Sequence, residues 1–64
     1  MNYNWILRIY NKNNSVKKAF KILDRTELEA NNEAMRFIEN FRLENDWSLT
    51  VADYEELSNL SELD

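Results

Sequence analysis

Apolar and polar residues alternate from Tyr3 to Tyr10. Tyr3, Trp5, Leu7 and Ile9 share one face, and Asn4, Ile6, Arg8 and Tyr10 the other. A period of two, enriched in aromatic and β-branched residues, predicts a strand over 3–10. Asn11-Lys12-Asn13-Asn14 follows, and asparagine tolerates a left-handed backbone better than most residues with a side chain. Alternation resumes over 15–23, with Val16, Phe20 and Ile22 on one face. The two strands and the asparagines between them read as a hairpin. A two-residue turn at Asn13-Asn14 sets Trp5 opposite Ile22, Leu7 opposite Phe20 and Asn11 opposite Val16, with Ile9 facing Lys18. A slip of one residue would instead set Leu7 against a lysine or Ala19.

The period then changes. Thr26-Glu27-Leu28-Glu29 has the spacing of a capping box, in which Thr26 accepts from the Glu29 amide and Glu29 reaches back. Ala30, Ala34, Phe37, Ile38 and Phe41 form one apolar stripe at helical spacing, predicting a helix over 27–43. Glu27, Glu29 and Glu33 near its start, with Arg36 and Arg42 toward its end, suit the helix dipole. Trp47, Leu49 and Val51 alternate with Ser48, Thr50 and Ala52, giving a strand over 47–52 and an acidic tail or short helix over 53–64. A rival reading caps a second helix at Thr50 and runs it through Tyr54, Leu57 and Leu60.

A right-handed strand–helix–strand connection returns the third strand beside the free edge of the first. The expected fold is therefore α+β: a two-layer ββαβ arrangement, three strands in the order 2-1-3, with one helix on one face. Trp5, Leu7, Phe20, Ile22, Phe37, Phe41, Trp47 and Leu49 are the expected core. The second sheet face stays uncovered unless the acidic tail or a second copy covers it.

Composition narrows the chemistry. Sixty-four residues hold at most one small domain, with 44% hydrophobic and 31% charged residues, a globular balance. There is no Cys and no His, which removes disulfides, thiolate metal sites and the commonest general base. Gly and Pro are also zero, so no glycine loop can cradle a phosphate. The acids are explained by capping and solubility, and the serines and threonines lack an activating base. No catalytic, cofactor or metal site is expected, and no small-molecule substrate. The longest apolar run, Trp5-Ile6-Leu7, is far too short to cross a membrane, so a cytoplasmic protein is the expectation. Ten asparagines point to an AT-rich coding source, a low-GC bacterium or its phage.

Charge is segregated along the chain. Residues 1–25 carry six basic side chains against Asp24, net +5; residues 26–64 carry two arginines against eleven acids, net −9. The hairpin register gathers Ile6, Arg8, Tyr10, Lys17, Lys21 and Leu23 on the face away from the helix. That face is the expected partner surface, fitting a protein partner or a second copy in a homodimer. The function expected is a non-enzymatic interaction module that binds and modulates, or inhibits, another protein. The alternative is a nucleic-acid binder that stacks bases on Tyr10 and neutralises phosphates with Arg8, Lys17 and Lys21.

Overall fold

The computed structural model describes residues 1–63. Its elements are β1 (Tyr3–Tyr10), β2 (Val16–Arg25), α1 (Glu27–Asn40), β3 (Trp47–Val51), α2 (Tyr54–Leu57) and β4 (Ser61–Glu62). One mixed four-stranded sheet has the order β3-β1-β2-β4. β1 is antiparallel to both of its neighbours, and β4 runs parallel to β2. The α+β class and the 2-1-3 order stand; the fourth strand was not foreseen.

The central hairpin register is the expected one: Trp5 faces Ile22, Leu7 faces Phe20 and Ile9 faces Lys18. The turn is not. The Asn14 amide donates to the Asn11 carbonyl at 3.0 Å, Asn11 to Ser15 at 2.7 Å, and Asn14 takes φ 66°. The loop is thus Lys12-Asn13-Asn14, a tight turn closed by a left-handed residue. Tyr10 consequently faces Val16, and an irregularity between Ile9 and Tyr10, which leaves Lys17 without an opposite residue, restores the register beyond it. A second irregularity sets Asn4 against Leu23 and Asp24; Asp24 takes φ 56° and donates its amide to Asn4 Oδ1. β2 therefore runs on to Arg25, two residues past the expected end.

The capping box is formed in both directions, at 3.2 Å from the Glu29 amide to Thr26 Oγ1 and 3.0 Å from the Thr26 amide to Glu29 Oε1. At its other end α1 stops at Asn40, three residues before the expected Leu43. Arg42 takes φ 51°, its amide reaches the Glu39 carbonyl, and the Leu43 amide reaches Ile38 at 3.0 Å. This is a Schellman closure, which folds Leu43 back toward Ile38 and the core.

Trp5, Leu7, Ile9 and Ile22 pack beneath Ala30 and Ala34, and the Trp5 indole donates to the Arg25 carbonyl at 2.9 Å. Phe20, Phe37, Trp47 and Leu49 are only half-buried against this cluster, and Phe41 is 63% exposed, contrary to its expected place in the core. Phe41 is the residue at which α1 closes: the left-handed Arg42 turns the chain off the helical path there, and the Phe41 ring rests on Phe37.

The second sheet face is partly covered by the C-terminal segment, one of the two ways of covering it that the sequence left open. After β3 the chain crosses that face, α2 lays Leu57 against it, and β4 joins the far edge beside β2. Ile6 is left 3% exposed, and the Leu63 amide donates to the Lys21 carbonyl at 3.0 Å. The helix expected by the rival reading to start at Thr50 is absent, because Thr50 pairs with Ile6 in β3.

Candidate partner-binding groove

At the C-terminal end of α1 a groove of about 350 Å³ opens between helix and sheet. Ile9 and Phe20 form its floor, Phe37, Phe41 and Leu43 one wall, and Lys17 and Lys18 the other, with Glu62 at one end. Three rings make a continuous aromatic surface: Phe20 lies 5.1 Å from Phe37, and Phe37 lies 4.7 Å from Phe41. Tilted contacts of this kind hold the rings in place relative to one another. Lys17 and Lys18 are exposed, and among the described residues neither forms an ion pair.

The six residues expected to share the outer face are divided. Lys17, shifted by the irregularity beside the turn, lines the groove on the helix side. Ile6 is buried beneath the C-terminal segment and is closed to any partner in this conformation. Lys21 and Leu23 border a cleft with Tyr54 and Leu57, and Lys21 Nζ lies 3.5 Å from the Leu57 carbonyl. Arg8 and Tyr10 stay on the uncovered half of that face, where Arg8 donates to Thr50 Oγ1 at 2.7 Å and Tyr10 Oη shares a hydrogen bond with Ser48 Oγ at 2.9 Å. The basic groups thus serve two surfaces.

Lys18, Phe41 and Leu43 line the groove but were not among the residues expected to meet a partner. The register that sets Lys18 opposite Ile9 already placed that lysine on the helix side, whereas the stripe that includes Phe41 carries no sign of where α1 ends.

Elsewhere the ionic features are structural. Arg25 Nε lies 3.1 Å from Glu33 Oε2, tying the end of β2 to α1. Hydrogen bonds from the backbone and side chain of Thr26 hold the Glu29 carboxyl below its usual value. Among the described residues no acidic cluster converges to hold a metal ion, and no helix is long and apolar enough to cross a membrane. Comparison with protein-family models, curated proteins and solved structures finds no match.

Proposed function

We propose that the protein works by binding another protein and modulating it through the surface it occupies, without turnover. The groove takes an apolar segment of the partner, with acidic residues beside it to meet Lys17 and Lys18. The observation that supports this most strongly is Phe41, a large aromatic that stays 63% exposed while stacked on Phe37. Exposed apolar groups scattered singly need no explanation, but a continuous apolar patch with a polar rim is the usual form of a binding site. A volume of about 350 Å³ sits at the small end of ligand pockets, enough for one or two side chains. Lys17 and Lys18 against the one acid, Glu62, leave the charged lining net positive, which favours an acidic segment on encounter.

Affinity capture from cells of the source organism tests this reading. Wild type and the double variant Lys17→Glu/Lys18→Glu serve as paired baits. Both lysines are exposed, so the variant keeps its fold, and at least one protein retained by wild type is lost from it. Identical capture by the two baits contradicts the reading.

A further inference from the structure

β3 is an outer strand of the sheet, and its free edge carries none of the usual guards. Trp47–Val51 contains no charged residue and no proline, and its pairing with β1 has no irregularity. Natural proteins ordinarily blunt such edges with lysine, proline, bulges or very short strands. The opposite edge follows that rule, since β4 has only two residues and one of them is Glu62.

The hydrogen-bond parity of β3 can be read from its two ends. The Tyr10 amide donates to the Asp46 carbonyl at 2.8 Å, and the Ala52 amide to the Asn4 carbonyl at 3.0 Å. In an antiparallel ladder hydrogen-bonded pairs recur at every second residue, so Ser48 and Thr50 also turn their backbone groups toward β1. Trp47, Leu49 and Val51 therefore aim their amides and carbonyls outward, where among the described residues the sheet has no strand. The side chains of these same three residues lie on the helix side, opposite Ile9, Leu7 and Trp5. Leu49 and Trp47 are half-buried there and Val51 is 55% exposed.

We infer that this edge pairs with the β3 edge of a second copy of the chain, antiparallel about a two-fold axis at Leu49. Leu49 then faces its own counterpart and Trp47 faces Val51, which joins the two sheets through about six backbone hydrogen bonds. The strand is self-complementary in this register. The apolar side chains of both copies continue one surface beneath the two helices, and Val51 loses its exposure to the partner's Trp47. A shift of two residues either way would set Asp53 against Trp47 or Asn45 against Val51, so the sequence flanking the strand pins the pairing. The absence of charge along the strand lets two copies of an acidic chain meet here without repulsion at the contact. The groove lies on other residues and stays open in the pair.

Sedimentation of the full chain from low to high micromolar concentration, together with amide hydrogen exchange at both ends of that range, tests the inference. The expected mass doubles. The amides of Trp47, Leu49 and Val51 become at least about ten-fold more protected as it does, while Ser48 and Thr50 are protected throughout. Val51→Pro removes one outward amide per copy at an edge position where proline is tolerated, and it weakens dimerisation at least about ten-fold. Should that variant fail to fold, the exchange pattern of wild type decides alone. A wild type that stays monomeric across the range overturns the inference. So does a dimer whose three outward amides exchange no more slowly than at the lowest concentration, or a folded Val51→Pro that dimerises as tightly as wild type.

Discussion

Arg42 sits where most helices place glycine. The chain has no glycine, so the three left-handed positions among the described residues fall to Asn14, Asp24 and Arg42. Asparagine and aspartate bear this conformation easily; an arginine does so against a cost of roughly 1 kcal/mol. Arg42→Gly relieves that cost, in part offset by the greater freedom of glycine in the unfolded chain. The expected net gain is about 0.5–1 kcal/mol, read as a raised midpoint in urea. At the other end of α1, Thr26→Ala removes a formed cap and costs about 0.5–2 kcal/mol. The Thr26 backbone amide, which alanine keeps, and the Thr26 side chain, which alanine loses, both lower the Glu29 pKa in the folded state. Their contribution is therefore complete above the ordinary carboxylate range and is lost as pH falls through the folded value. The stability difference between wild type and Thr26→Ala should accordingly shrink on acidification, and a difference that widens in acid would place the shift elsewhere.

At the scale of elements, α1 and its fit to the sheet decide where the groove opens. Ala30 and Ala34 are fully buried in one cluster with Trp5, Leu7, Ile9 and Ile22 of β1 and β2. Ala34→Leu puts a larger side chain into that contact and should cost about 1–3 kcal/mol in chemical denaturation. A neutral outcome would mean that helix and sheet are loosely packed at this point. The elements themselves were legible in the sequence wherever a local code was strong: the alternation of β1, the Thr26–Glu29 box, and the match of Leu7 to Phe20. What was not legible depended on backbone chemistry that side-chain patterns do not announce. The left-handed Asn14 lengthened the turn by one residue and moved Lys17 to the helix side. The Schellman closure at Arg42 ended α1 early and left Phe41 exposed. β4, two residues long, has no periodicity to read; Leu63 beside it packs against the core.

For the whole molecule, the two sheet faces and the sheet edges divide the work. The helix face holds the core and, at one end, the aromatic groove; the opposite face is partly sealed by the chain's own acidic segment. Segregated charge takes a different meaning from this arrangement. The basic hairpin touches the C-terminal segment where Lys21 donates to the Leu57 carbonyl and pairs with α1 through Arg25 and Glu33, while Lys17 and Lys18 line the groove. An aromatic kept at the surface for a partner should be dispensable to the fold and central to binding. The most direct test is calorimetric titration of the protein retained by the wild-type bait with Phe41→Ser, whose folded state is first verified by its melting curve. The groove account predicts stability within about 1 kcal/mol of wild type, because the ring is mostly in water, and a loss of binding of at least about 2 kcal/mol, roughly 30-fold in Kd, as for a buried aromatic anchor. A Phe41→Ser that binds the same protein as tightly as wild type would contradict it.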